Sequence, residues 1–134
     1  MKLTKSTLKR IIKEEIQNVL FEEEAQKDSS NPKSKRLNSL GMRYYRKKKY
    51  KAALKKFIAA HKADPKWTKP PYNAGCQYAL LGNVDKALHW LTIWTHNRPD
   101  KNLDDMYNFV QKDTDLDGIR KDPKFQSWLE LITP

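Results

Sequence analysis

Residues 40–57 have the sequence Leu40-Gly-Met-Arg-Tyr-Tyr-Arg-Lys-Lys-Lys-Tyr-Lys-Ala-Ala-Leu-Lys-Lys-Phe57. Apolar side chains recur at helical spacing on both sides of the polar run 46–49, which predicts two amphipathic helices joined by a short turn. Gly41 and Ala53 are small enough to let the two helix axes approach, while Phe57 fills the space beside them. The stretch therefore predicts a packed helical hairpin.

The helical hairpin occurs twice, because five residues return 34 positions later in the chain. The pairs are Gly41 and Gly75, Tyr44 and Tyr78, Ala53 and Ala87, Leu54 and Leu88, and Pro65 and Pro99. Each proline follows a predicted second helix and ends it, since proline lacks an amide hydrogen and disfavours a helical residue before it. The sequence thus predicts two helical repeats, residues 34–67 and residues 68–101.

The repeat resembles the tetratricopeptide repeat (TPR), a helix-turn-helix unit of about 34 residues. The first unit matches the family pattern at Leu40, Gly41, Tyr44, Tyr50, Ala53, Phe57, Ala60 and Pro65. The second unit keeps Gly75, Tyr78, Gly82, Ala87 and Pro99, but has Pro71 and Trp94 where the family usually has an aromatic residue and an alanine. The resemblance covers residues 34–132 and implies a short all-α solenoid that holds another protein or a peptide.

Residues 102–132 are expected to end the repeat stack. Apolar residues at helical spacing predict one more helix, the start of a degenerate third unit; they are Leu103, Met106, Tyr107 and Val110. Asp122 followed by Pro123 predicts a further helix start, because aspartate caps helices and proline fits the first helical position. The resulting C-terminal capping helix, from Pro123 to Ile132, covers the open end of the stack. The segment 113–125 also resembles the turn and helix that often follow TPR units.

Residues 1–28 form a separate region, an amphipathic N-terminal helix with the start of a linker behind it, and Asn31 followed by Pro32 predicts a fresh helix start after the linker. The helix is predicted over residues 4–24, and its apolar stripe consists of Leu8, Ile11, Ile12, Ile16, Val19 and Leu20. The stripe requires a partner, and three remain open. These are the repeat stack itself, another protein or a second copy of the chain, and a membrane surface, which the mixed-sign polar face disfavours.

The compartment is predicted from the cysteine content and from the N-terminus. Cys76 is the lone cysteine and cannot form an internal disulfide, so a reducing cytoplasm is expected. Charged residues interrupt any secretory signal in the first 28 residues. Residues 1–16 also resemble the leaders of many small phage-encoded proteins, and the sequence 20–22, Leu-Phe-Glu, is similar to a prohead-protease cleavage pattern. This resemblance implies, as an alternative, a virion-associated protein with an N-terminal targeting leader.

The net charge of +11 lies in one segment of the chain. Residues 1–28 and 65–134 each balance their basic and acidic groups, whereas residues 29–63 carry twelve basic residues and no acidic one. We define the basic patch as Arg43, Arg46, Lys47, Lys48, Lys49 and Lys51. Such a patch attracts an acidic protein or peptide or, as the alternative, the phosphates of nucleic acid or another polyanion. The third interpretation is a solvated turn that only aids solubility.

The TPR resemblance also implies a concave groove lined by residues of the first helix of each unit. Carried over position by position, the groove consists of Lys35, Asn38, Met42, Tyr45, Arg46, Lys69, Tyr72, Asn73, Cys76 and Leu80. Cationic and aromatic side chains alternate in this set, which favours an extended peptide that is acidic or carries aromatic residues. The alternative is that Tyr45 and Tyr72 only pack against their neighbours.

Catalysis and cofactor binding have little support in the sequence. His89 and His96 lack a third zinc ligand at a suitable spacing, and Lys124 stands where a calcium loop beginning at Asp113 needs glutamate. Cys76 has no histidine nearby in sequence to activate its thiol. No run of residues approaches the roughly 18 apolar residues that a membrane span needs. The sequence therefore predicts a non-catalytic adaptor protein without metal, cofactor or membrane span.

Overall fold

The computed structural model describes residues 4–7, 9, 31–98 and 102–134, and this part of the chain is all-α. Its elements are α1 (Pro32–Arg46), α2 (Tyr50–Ala63), α3 (Lys69–Leu80), α4 (Val84–Asn97), α5 (Leu103–Lys112), a 3-10 helix (Thr114–Ile119) and α6 (Pro123–Ile132). No strand occurs among these residues. Consecutive helices from α1 to α4 pack on one another, and α6 packs on α4 and α5. The all-α, repeat-like fold predicted from the sequence is confirmed.

The predicted N-terminal helix, residues 4–24, lies mostly outside the described residues. Residues 5–7 and 9 are helical, and the threonine hydroxyls of Thr4 and Thr7 share a hydrogen bond of 2.6 Å. The extent of this helix and the partner of its apolar stripe therefore stay predictions.

Helix starts follow the sequence signals closely. The Asn31 side chain accepts hydrogen bonds from the amides of Lys33 and Ser34, and Pro32 occupies the first helical position of α1. Asp122 caps α6 in the same way through the amide of Lys124, at 2.8 Å. Both caps satisfy amides that the helix itself leaves unpaired. The predicted helix starts at Asn31-Pro32 and at Asp122-Pro123 are confirmed.

The turns inside the two repeats have the same backbone geometry. After the first helix of each repeat, two successive backbone amides donate hydrogen bonds to carbonyl groups in the last turn of that helix. The second of these bonds joins Lys49 to Tyr44 in the first repeat and Asn83 to Tyr78 in the second repeat. This geometry needs a left-handed residue, and Gly82 supplies it in the second repeat with a φ of 78°. The equivalent residue of the first repeat is Lys48, with a φ of 58°. A side chain there strains the backbone, so Lys48 occupies a position that locally favours glycine.

Replacing Lys48 with glycine is expected to raise the free energy of unfolding by about 0.5–1 kcal/mol. Relief of a left-handed lysine is worth roughly 1–2 kcal/mol, and the greater freedom of glycine in the unfolded chain offsets about half of it. The matched control is Lys47→Gly, because Lys47 has an ordinary φ of −87° and gains nothing from glycine. Urea unfolding of both variants measures the difference, and equal effects would show that Lys48 carries no strain.

The two helices of each repeat make their closest contact at a glycine of the first helix. A Cβ added at Gly41 would lie 2.6 Å from Cδ1 of the buried Phe57 ring, far inside normal contact. A Cβ added at Gly75 would lie 3.0 Å from Leu91 in the second repeat. The two repeats therefore use glycine in the first helix to admit a large side chain from the second.

The buried side chains form two clusters along the stack. The first joins α1, α2 and α3 around Phe57. The second joins α3 and α4 to the C-terminal elements, with Leu91, Val110, Leu116 and Phe125 fully buried. The C-terminal segments therefore complete the core of the second repeat, as the predicted capping role requires. None of the described helices is long and apolar enough to cross a membrane.

Candidate functional site: the groove and the basic patch

The predicted groove is not empty, because a segment of the same chain lies along α3. This acidic segment, residues 113–119, contains the 3-10 helix and contacts α3. Leu116 and Ile119 are fully buried in the second core cluster, and Gly118 passes close to the carbonyl of Ala79. The segment is thus anchored by apolar burial at two points.

Two tyrosines of the predicted groove hold the carboxylates of the acidic segment. The Tyr45 hydroxyl donates to both carboxylate oxygens of Asp115, at 2.9 Å and 2.7 Å. The Tyr72 hydroxyl donates to Oδ2 of Asp113, also at 2.7 Å. Hydrogen bonds to ionised acceptors are short and strong, and these two connect the first helices of both repeats to one segment.

The electrostatics of the groove keep both hydroxyls in the donor state. Burial, together with the hydrogen bond to Asp113, raises the pKa of Tyr72 far above its ordinary value near 10. The hydrogen bond to Asp115 is the main cause of the raised pKa of Tyr45, and burial adds to it. Burial also raises the pKa of Asp115, whereas the bond from Tyr45 acts in the opposite direction. Both tyrosines therefore remain protonated donors at neutral pH.

The thiol of Cys76 lies beside the same carboxylates. Cys76 is 3% exposed, and its Sγ lies 3.7 Å from Oδ2 of Asp113. Burial raises the pKa of the thiol well above its ordinary value, and the carboxylates of Asp113 and Asp115 raise it further. A protonated, buried thiol is a poor nucleophile and a poor metal ligand. The thiol and the two carboxylates, all within 4.8 Å of one another, act here as part of a hydrogen-bond network.

The other predicted groove residues divide into two groups. Asn73 donates a hydrogen bond of 3.1 Å to the buried Asn38, which connects α3 to α1, and Met42 packs on the first core cluster. The remaining residues are open to solvent or half-buried; they are Lys35, Arg46, Lys69 and Leu80. The structure therefore brings the aromatic and thiol residues of the groove onto the acidic segment and leaves the groove cations outside this contact.

The basic patch lies on the surface of the described part of the chain. All six of its residues are exposed, and they lie on the last turn of α1, on the inter-helix turn and on the first turn of α2. Where the structure describes the chain, its ion pairs are Arg120 with Asp117 and Lys124 with Asp85, outside the patch. No acidic residue stands on α1 or α2 to neutralise the cations. Within the described part of the chain, the patch therefore projects a positive field that no ion pair compensates.

Asp113 and Asp115 are the site residues that the sequence interpretation missed. Their alternation resembles a calcium loop, which Lys124 at the last loop position argues against, and the role of the segment in filling the groove was not predicted. The available signal was the apolar pair Leu116 and Ile119, whose spacing of three residues marks a buried turn beside the acidic residues.

Comparisons with known proteins identified no matching family model, no similar curated protein and no similar solved structure. A functional assignment for this chain therefore rests on the contacts of the groove and on the exposure of the basic patch.

Proposed function

We propose that the chain is a non-catalytic TPR-like adaptor that holds an acidic segment of another protein on its basic patch. The observation that carries this proposal is the exposure of all six patch cations without an ion-pair partner in the described part of the chain. Unpaired surface cations in a cluster attract acidic ligands over several ångströms. The resemblance of residues 34–132 to a family that holds proteins and peptides supports the same conclusion.

The strained turn gives the proposal independent support. Lys48 occupies a left-handed position that the second repeat fills with Gly82. Sequences break such local preferences mainly at functional sites, where the side chain is needed. A lysine at the tip of the turn, between Lys47 and Lys49, extends the patch into solvent.

A protein ligand is favoured over nucleic acid by the state of the neighbouring tyrosines. Single-stranded nucleic acid gains much of its affinity from bases stacked on exposed aromatic side chains. Tyr44 packs on the first core cluster, and Tyr45 is bound to Asp115. Tyr50 is half-buried, with its ring centroid 6.3 Å from that of Tyr45. The patch thus offers charge without an open stacking surface.

Neutralising the turn lysines is expected to weaken binding of an acidic peptide about tenfold, at roughly 0.5 kcal/mol for each lost exposed ion pair. The variant is Lys47→Gln, Lys48→Gln and Lys49→Gln in one chain. The probe is a fluorescent peptide rich in glutamate, titrated by anisotropy at two salt concentrations. The ligand control is a single-stranded oligonucleotide of equal net charge.

The matched control variant removes three exposed lysines elsewhere, Lys66→Gln, Lys112→Gln and Lys121→Gln, and therefore has the same net charge. We expect it to keep most of the affinity for the peptide. Equal losses of peptide affinity in the two variants would show that binding depends on the net charge and not on the patch, which would contradict the proposal. Tighter binding of the oligonucleotide, with a steep salt dependence, would promote nucleic-acid binding instead.

A further inference from the structure

The outer face of α1 carries a shallow depression of about 380 Å³. Its lining residues are Lys35, Arg36, Ser39, Leu40 and Arg43. All five are exposed, and they lie across the helix from Ser34 and Gly41, which are buried against α2 and the rest of the stack. The depression is therefore on the side of α1 that no described element covers.

This face is chemically suited to a cover that offers both apolar and acidic side chains. Leu40 is 38% exposed and lines the depression, and the aliphatic stems of Lys35, Arg36 and Arg43 add to its apolar surface. The same three side chains carry its positive charge. Terminal units of a repeat stack need a cap, and the C-terminal end has one in α6, whereas α1 has none among the described elements.

The N-terminal segment of this chain has the complementary chemistry. Its apolar stripe, Leu8 to Leu20, carries leucine, isoleucine and valine at helical spacing. The basic residues of the predicted helix end at Lys13, and residues 14–24 carry five glutamates and no basic residue. The run 22–24 falls at the carboxyl end of the predicted helix, where the helix dipole disfavours negative charge. Cations opposite this run would remove that unfavourable interaction.

The connection between the two elements is short enough to make the contact intramolecular. Residues 25–31 separate the predicted helix from α1, and seven residues reach roughly 20 Å when extended. That length allows the N-terminal helix to return antiparallel along α1, as in a helical hairpin. In this register the glutamates 22–24 lie near Lys35 and Arg36, and Ile16 lies near Leu40. Tethering also raises the local concentration of the segment far above that of a free partner.

We propose that residues 14–24 dock on the outer face of α1, with Ile16, Val19 and Leu20 over Leu40 and the glutamates beside Lys35 and Arg36. The docked segment caps the first repeat. A second consequence rests on the proposed function: the glutamates neutralise cations next to the basic patch, so the segment competes with an acidic partner.

Cross-linking in the full chain tests the docking directly. The variant carries Ile16→Cys and Leu40→Cys, and a short bis-maleimide joins the two thiols over a range of registers. The native Cys76 is buried and stays unreactive on this time scale, which the two single variants check. At high dilution we expect a cross-link within one chain. The matched control pairs Ile16→Cys with Asp104→Cys on the exposed face of α5.

A cross-linked dimer in place of the intramolecular product would identify a second copy as the occupant and overturn the proposal. A yield no higher than that of the control pair would overturn it as well. Both readouts need no acidic ligand, so they stand apart from the proposed function.

The competition is measured with the glutamate-rich peptide. Changing Glu22, Glu23 and Glu24 to glutamine is expected to raise peptide affinity about tenfold, since three charges that oppose the peptide are removed. The control changes Asp104 and Asp105, which are acidic and exposed on α5, to asparagine. An unchanged affinity, with the cross-link present, would overturn the competition. A chain that binds no peptide in any variant would overturn the proposed function and leave the cross-link result intact.

Discussion

Replacing Phe57 with alanine is expected to lower the free energy of unfolding by about 3–5 kcal/mol, the range for a fully buried phenylalanine. The Phe57 ring is 0% exposed and fills the contact between α1 and α2 that Gly41 leaves open. The cavity left behind cannot be filled from Gly41, which has no side chain. Since small domains are stable by roughly 5–15 kcal/mol, this single change removes a large part of the total.

Urea unfolding followed by circular dichroism measures this loss, with Phe109→Ala as the matched control. Phe109 is the same residue type but is 52% exposed, and its main contacts are the rings of Tyr72 and Trp94. We expect the control to lose about 1 kcal/mol, the size of an aromatic pair contact. If both variants lose the same amount, the packing of α1 on α2 does not dominate the stability of the first repeat.

The helical hairpins were predictable because their signals are local. Glycine, alanine and aromatic residues at helical spacing set the contact of α1 with α2, and the return of the pattern at Gly75 set that of α3 with α4. Capping is local too, so Asn31 and Asp122 marked the starts of α1 and α6 correctly.

The filling of the groove was not predictable by the same means. Tyr45 and Asp115 are 70 positions apart, and Tyr72 and Asp113 are 41 apart. No periodicity connects residues at such separations, because the contact depends on the angle at which the C-terminal segment leaves α5. The left-handed conformation of Lys48 was not predictable either, because a lysine does not indicate the turn geometry that a glycine at this position would have indicated.

The acidic segment changes which part of the predicted site is open to a partner. A peptide that entered the groove at Tyr45 and Tyr72 would have to displace Asp113 and Asp115 together with the buried Leu116. Displacement would expose apolar area worth about 2 kcal/mol for the leucine alone, before any hydrogen bond is lost. Binding at the basic patch leaves the acidic segment in place, and the first contact with a partner is therefore expected there.

Replacing Asp113 with alanine is expected to lower the free energy of unfolding by about 2–4 kcal/mol. The Asp113 side chain accepts from the Tyr72 hydroxyl and from the amide of Asp115, so it also caps the 3-10 helix. Losing the cap costs about 1 kcal/mol, and leaving the buried tyrosine hydroxyl unpaired costs about 1–3 kcal/mol. The control is Asp113→Asn, which keeps an acceptor oxygen and a good capping residue and should lose less than half as much.

The reactivity of Cys76 measures how often the acidic segment opens, because Cys76 is the lone thiol of the chain and lies beside this segment. In Asp113→Ala we expect faster modification of Cys76 by a thiol reagent, since the segment opens more often and the carboxylate that raises the pKa of the thiol is gone. The asparagine variant also lacks the charge but keeps the acceptor, so its rate should stay near that of the unchanged chain if opening controls the reaction. Equal acceleration in both variants would mean that the lost charge, through a lower pKa of the thiol, and not the opening of the segment, controls the rate.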